Sequence, residues 1–178
     1  MDYETIDSQL KYDGKVLKVY SDKVKLPNGV VAVRENIVRG SASAMVPVDS
    51  QGNIYFVRQY RHAAGELMLE IPAGMIEKGE EPKKAAYREL EEEIGLKAGK
   101  MTFVCETYMA IGICTEKVYL YVAEDLTEGK LNPDPDEIIE IEKYSLKEAL
   151  DMILDGRITD GKTIMGILAY SQYFNNRK

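Results

Sequence analysis

The chain has 178 residues, 45% of them hydrophobic and 30% charged, with 30 acidic against 23 basic side chains and a net charge of −7. This supports one globular domain with a real core and a small appended subdomain, and it excludes a protein that grips nucleic acid through a basic face. No apolar run reaches bilayer-spanning length and nothing resembles a leader segment. Cys105 and Cys114 form no paired motif, and the single histidine, His62, rules out an imidazole-rich zinc site. The expectation is a reduced, cytoplasmic protein in which any metal is held by oxygen.

In chain order, residues 15–26 (KVLKVYSDKVKL) are rich in β-branched and aromatic residues and predict a strand. Pro27, Asn28 and Gly29 predict a turn, and residues 30–38 the returning strand. ASAMVPV and IYFVRQY, on either side of DSQGN, predict a second hairpin, and LMLEIP a further strand stopped by Pro72 and Gly74. The period then changes. Pro82 suits the first turn of a helix, Ala86, Leu90 and Ile94 recur every four residues, and Gly95 fits the helix end. MTFVCETY and KVYLYVA predict two more strands, followed by the loop NPDPDE. The strand IIEIEKY leads to a helix over 146–154 and a last helix over roughly 162–174. Strands with interspersed helices, without regular βαβ alternation, give an α+β class.

Residues 74–96, GMIEKGEEPKKAAYRELEEEIGL, carry seven carboxylates, four of them within residues 89–93. On a helix, Glu89, Glu92 and Glu93 share one side, Glu91 lies away from Glu89 as a solvated residue, and Arg88 can pair with Glu92. Two like charges about 4 Å apart repel by ~1 kcal/mol in water and about 4 kcal/mol at an effective dielectric near 20. Such a face needs compensation, partly from Arg88 and otherwise from a hard cation such as Mg²⁺ or Mn²⁺. Taken alone, ELEEE reads as a solvated helix face.

It does not stand alone. Gly74, Glu80, Arg88, Glu89, Glu92, Glu93 and Gly95 occupy every fixed position of G-x5-E-x7-R-E-U-x-E-E-x-G-U, with Leu90 and Leu96 at the apolar positions U. At about 7% usage per residue type, seven such matches coincide by chance roughly once in a hundred million starts. The stretch resembles the signature of the Nudix hydrolases, which cleave a nucleoside diphosphate linked to another group. FVRQYRHAAGELMLEIPAG, DEIIEIE and DGKTIMGILAY resemble, more narrowly, the ADP-ribose pyrophosphatases of that family.

The resemblance implies a Nudix α/β/α sandwich, residues 41–178, preceded by a small antiparallel β-subdomain, residues 1–40, that joins a homodimer and contacts substrate. It implies Mg²⁺-dependent hydrolysis of ADP-ribose to AMP and ribose 5-phosphate, with Mn²⁺ as a possible substitute, and neither a nucleic-acid nor a membrane partner. Glu89, Glu92, Glu93 and the Ala73 carbonyl are the implied metal ligands, and Glu80 and Arg88 hold them in orientation. Arg88 and Glu92 also belong to the implied catalytic set with Glu137, a loop acid that acts as general base or as a further metal-side ligand. Asp134, Asp136 and Glu140 stand close enough in sequence to compete for that role. Arg61 matches a diphosphate contact, Arg34 and Glu35 match adenine-end contacts that read equally as an exposed ion pair, and Glu116 matches a contact to the distal ribose. Where these enzymes carry a proline beyond the box, this chain has Ala110, Ile111 and Gly112. That departure weakens the substrate assignment, and GDP-mannose and a dinucleoside polyphosphate stand as alternative substrates; ADP-ribose binding without cleavage is a separate alternative, against which the intact carboxylate set argues.

GRITDGKT, residues 156–163, also matches the phosphate-loop pattern G-x4-G-K-T. The motif needs a strand before it, and the preceding LKEALDMIL predicts a helix, so Gly156 reads as a helix cap and Lys162 and Thr163 as the start of the last helix. His62 reads as a structural or surface residue, the two cysteines as buried, inert thiols, and the aliphatic last helix as core or dimer packing.

Overall fold

The computed structural model describes residues 2–133, 135 and 137–175. The chain forms ten strands and three helices among these residues, an α+β fold. It divides into two compact units, residues 1–41 with 108–117, and residues 42–107 with 118–178.

The first unit contains β1 (Glu4–Asp13), β2 (Leu17–Lys25) and β3 (Val31–Arg39), an antiparallel sheet in the order β1-β2-β3. The β2–β3 turn is the one predicted: the Gly29 N–H donates to the Leu26 carbonyl at 2.8 Å, and Gly29 has a φ of 84°. β1 escaped the sequence reading because its residues are almost all exposed, so no buried face imposes an alternation. Its register with β2 also shifts twice, between Thr5 and Asp7 and between Leu10 and Tyr12.

In the second unit, β4 (Ala42–Pro47), β7 (Ala73–Met75), β8 (Leu96–Tyr108) and β9 (Lys117–Glu128) form a sheet in the order β7-β4-β9-β8. β5 (Asn53–Arg61), β6 (Glu66–Glu70) and β10 (Ile139–Ser145) form another in the order β10-β5-β6. The predicted second hairpin is therefore wrong. The DSQGN turn does reverse the chain, with a φ of 85° at Gly52 and an isolated bridge between Val48 and Ile54. β4 and β5 then part into different sheets, and β4 pairs in parallel with β9. All six residues of β4 are buried, the mark of a central strand covered on both faces.

Those two faces explain the layering. Ala44, Val46, Leu120 and Val122 enter one core with Ile167 and Ala149 from the C-terminal helices α2 (Leu146–Leu154) and α3 (Gly161–Asn175). Met45, Tyr121 and Ala123, the alternate residues, enter a second core with Ala86, Leu90 and Ile94 of α1 (Pro82–Ile94). Gly166 lets α3 lie close, since a Cβ there would meet Ile71 Cδ1 at 2.8 Å. The helix before the phosphate-loop-like segment is present, and α2 opens with a capping box between Ser145 and Glu148. Among the described residues no helix is long and apolar enough to cross a membrane. Both cysteines are unbridged and only partly buried, which corrects the expectation of full burial, and burial pushes the Cys105 thiol up.

Candidate active site

α1 is set by its ends and its stripe. Pro82 lies in the first turn, where a missing N–H costs nothing, and Gly95 closes the helix at φ 68°, donating its N–H to the Glu91 carbonyl at 3.0 Å. The Ser43 hydroxyl of β4 donates to the Pro82 carbonyl at 2.7 Å and pins the helix start to the central strand. With Ala86, Leu90 and Ile94 in the core, the helix turns Arg88, Glu89, Glu92 and the buried Glu93 along its other side.

Arg88 organises that surface. Its Nε and Nη2 donate to the two oxygens of Glu80 at 3.0 and 2.9 Å, and Nη2 also donates to the Met75 carbonyl at 3.0 Å. Its Nη1 donates to Glu89 Oε1 at 2.7 Å and to Glu92 Oε2 at 2.8 Å, the i,i+4 pair predicted. Arg88 holds Glu80 below its ordinary value, and its own pKa is raised further, by Glu80 first and despite burial. The guanidinium thus ties the strand-to-helix loop to two acids of the helix.

Glu89 and Glu93 carry the cost of the arrangement. Burial pushes Glu89 up against the pull of Arg88, with the charges of Glu92 and Glu137 adding to the rise. Glu93 is only 2% exposed. Burial, Glu89 and Glu137 push it up to about 8, opposed by the Ala73 N–H, which donates to Oε2 at 3.0 Å, and by Arg61. Gly74 makes room for this face: a Cβ there would lie 1.9 Å from the Glu89 carboxyl carbon. Among the described residues no three acidic, histidine or cysteine side chains already form an ion cage, and Arg88 Nη1 bridges Glu89 and Glu92 instead. The residues nonetheless fit a hard divalent ion. They are oxygen donors, two of them, Glu89 and Glu93, with raised carboxyl pKa values, beside a glycine cradle that a Cβ would fill.

The loop after β9 is fastened to the end of α1. The Gly129 N–H donates to the Gly95 carbonyl at 2.8 Å, and the Asn132 N–H to the Glu92 carbonyl at 3.0 Å. Glu91 accepts the Lys130 N–H at 3.1 Å and pairs with Lys97 at 3.2 Å, so it anchors this loop and is not the solvated residue the helix geometry suggested. The same loop leads to Glu137, whose charge is felt at Glu89 and Glu93. Glu140 is exposed on β10 opposite Arg58, and Asp134 and Asp136 lie outside the described residues.

Arg61, at the end of β5, joins the group by another route. Its Nε and Nη2 donate to the two oxygens of Glu70 at 2.7 and 2.8 Å, and it lies within the field of Glu93. Glu70, which is not among the expected site residues, is 1% exposed and also receives the Lys162 ammonium. An acid inside the apolar run LMLEIP was the available signal. In the first unit, Arg34 and Glu35 are exposed on β3, and Arg34 Nη1 donates to the Val33 carbonyl at 3.0 Å. Glu116 pairs with Arg39 at 3.4 Å. The turn at 110–112 closes without a proline, because the Ala110 carbonyl accepts the N–H groups of Ile113 and Cys114 at 3.0 and 2.8 Å. A cavity of about 840 Å³ elsewhere in the second unit is lined by Tyr55, Lys143, Glu124 and Tyr170 among others, and by none of the α1 carboxylates.

Known proteins resemble this chain in sequence and in fold. The NUDIX domain model covers residues 38–165. An ADP-ribose pyrophosphatase of Bacillus subtilis (strain 168) is 37% identical over 94% of this chain and 91% of its own length. A methanol dehydrogenase activator of Bacillus methanolicus is 36% identical over 92% of this chain and 90% of its own. A GDP-mannose pyrophosphatase of Yersinia pestis (strain Pestoides F) is 34% identical over 88% of this chain and 84% of its own. The crystal structure of an ADP compounds hydrolase superposes with a TM-score of 0.91 over 99% of this chain and 96% of the other, at 23% identity, and so shares the fold. With the signature complete and the domain matched over most of its length, the chain belongs to the Nudix family.

Proposed function

We propose that the chain hydrolyses the diphosphate linkage of ADP-ribose to AMP and ribose 5-phosphate, with Mg²⁺ as its natural ion and Mn²⁺ as a substitute. The observation that carries this is the complete, strained carboxylate face around Glu93, in a chain whose relatives over most of its length include ADP-ribose pyrophosphatases. Glu89, Glu92 and Glu93, with the Ala73 carbonyl, would hold the ion. When bound, it supplies the positive charge that neutralises the diphosphate and makes a water more acidic.

This chain's residues do the rest. Arg88 and Glu80 keep Glu89 and Glu92 in place, and Arg61 offers guanidinium N–H groups beyond the two that Glu70 engages. Glu137 accepts a proton from the water whose oxygen attacks one phosphorus, the P–O bond to the bridging oxygen breaks, and the two phosphates part. Arg34 and Glu35 are assigned to the adenine end and Glu116 to the distal ribose.

Products formed from ADP-ribose in ¹⁸O water, read by mass spectrometry, test the reaction and identify the phosphorus attacked. Absence of AMP and ribose 5-phosphate removes the proposal. A second reading, hydrolysis of GDP-mannose, draws on the Yersinia relative and on the Ile111 turn. It prevails if GDP-mannose has the higher kcat/KM in a panel of nucleoside diphosphate sugars. Binding of ADP-ribose with no product under saturating Mg²⁺ would instead mark a sensor module.

The homodimer belongs to the same proposal. The first unit's sheet exposes Ile6, Leu10, Tyr12, Val31 and Val33, apolar side chains that a partner subunit would cover. Light scattering on the purified protein should give twice the chain mass, and a monomer at micromolar concentration contradicts it. Cytoplasmic residence is proposed from the two unbridged cysteines, which accord with a reducing compartment.

A further inference from the structure

The segment that imitates a phosphate loop has a different task, and its contacts show which. Lys162 lies at the start of α3 with its side chain 15% exposed, and its ammonium meets Glu70 Oε2 and, at 3.0 Å, Asp160 Oδ2. Asp160 Oδ2 also accepts the Thr163 N–H at 2.9 Å and the Thr163 hydroxyl at 2.6 Å, which caps the helix and fixes the backbone that carries Lys162. The Thr163 oxygen in turn accepts the buried Ile71 N–H at 2.9 Å, locking α3 to the residue that follows Glu70. Thus both the lysine and the acid it meets are held from behind.

Glu70 offers two oxygens, enough acceptor sites for both cations. Arg61 takes one through Nε and the other through Nη2. A bidentate pair fixes the guanidinium plane to the carboxylate plane. Whatever sets the Glu70 carboxylate therefore sets the direction of Arg61, whose own side chain is 42% exposed and has no comparable hold elsewhere among the described residues.

We propose that Lys162 is a positioning residue for the diphosphate clamp: by pinning the Glu70 carboxylate from the α3 side, it aims the Arg61 guanidinium at the substrate. This deepens the functional reading above and rests on it. Lys162 touches neither substrate nor ion; it acts through Glu70. An ammonium answers a carboxylate from many directions, whereas the arginine fork answers only in plane, so the pair of cations is ordered in role: lysine fixes, arginine presents.

The test is a double-mutant cycle on Arg61→Ala and Lys162→Met, with KM, kcat, the Kd for ADP-ribose by calorimetry, and the unfolding midpoint measured for each. Lys162→Met should raise KM and Kd about tenfold with kcat changed less than about threefold, the pattern of lost ground-state binding. Adding Lys162→Met to Arg61→Ala should cost nothing more, since the residue it serves is gone. Lys162→Arg should recover most of the loss. If Lys162→Met does not fold, Lys162→Gln, which keeps a donor for Glu70, takes its place in the cycle. Additive losses overturn the proposal, as does a lowered midpoint with KM and Kd unchanged. The Kd arm separates the two readings: a wild type that binds ADP-ribose without cleaving it defeats the functional reading and leaves the cycle readable, and a wild type that does neither overturns both.

Discussion

Two carboxylates in the same unit are buried to the same depth and respond in opposite ways. Glu70 is 1% exposed and Glu93 2%. Burial pushes each of them up, but at Glu70 the hydrogen bonds from Arg61 and the charge of Lys162 overcome it and hold the group below its ordinary value. Glu93 has one backbone N–H from Ala73 and the distant help of Arg61, set against the charges of Glu89 and Glu137, and ends at about 8. The difference lies in what each strand and helix delivers: α3 brings a lysine to Glu70, whereas α1 brings Glu93 more acids. A finished ion pair holds structure. An acid surrounded by acids is a site prepared for a cation from outside the chain.

The comparison breaks first at the acids themselves. Glu93→Gln should lower kcat on the order of 10³-fold, since it removes a central ion ligand, yet leave the unfolding midpoint of the metal-free protein unchanged or higher, because folding no longer requires this side chain to take up a proton. Glu70→Gln should instead cost stability, about 3–5 kcal/mol by urea unfolding, because Lys162 and the part-exposed Arg61 lose the buried carboxylate that both engage. If the two variants behave alike, the contrast is false. Gly74→Ala sharpens it further. The added Cβ would strike the Glu89 carboxylate, the far end of a flexible side chain, so folding should suffer little while activity falls about 10–100-fold. A large loss of stability would mean that the cradle is structural.

The last and smallest effect is on pH. Glu93 binds its proton more tightly in the fold than in the unfolded chain, so the native state holds the extra proton between about pH 4.5 and about pH 8. Stability of the metal-free protein should therefore fall as pH rises through that window, by about 1–2 kcal/mol once the site relaxes. Glu70 has the opposite sign: its contribution is present above the unfolded value of about 4.5 and is lost as pH falls through its lowered native value. Midpoints measured across pH in wild type and Glu93→Gln check both, and a wild-type slope that is undiminished in Glu93→Gln refutes the assignment.

How much of this could be read from residues alone depended on whether the cause was local. α1 was readable from end to end, because Pro82, the four-residue stripe and Gly95 act within the helix itself. The β2–β3 turn was readable for the same reason. The parting of β4 from β5 was not, because the turn between them is a true turn and only the parallel partner β9, some seventy positions on, decides which sheet β4 joins. Glu91 was misread because its partner, the Lys130 N–H, lies on a loop that no helix geometry foresees. Lys162 resembled a phosphate ligand because sequence shows the lysine and the glycines but not Glu70, ninety-two residues away. The acidic face was recognised from its spacing. What spacing could not give was the order of burial, with Glu93 hidden and Glu92 more open, and this order follows from how α1 lies against β4 and β7.

The most direct measurement is a calorimetric titration of Mg²⁺ and Mn²⁺ into the metal-free protein, for wild type and for Glu93→Gln at the same pH. Uptake by the wild type is expected, with an affinity at least about tenfold lower in Glu93→Gln. No uptake by the wild type, or equal affinity in the two proteins, would contradict it.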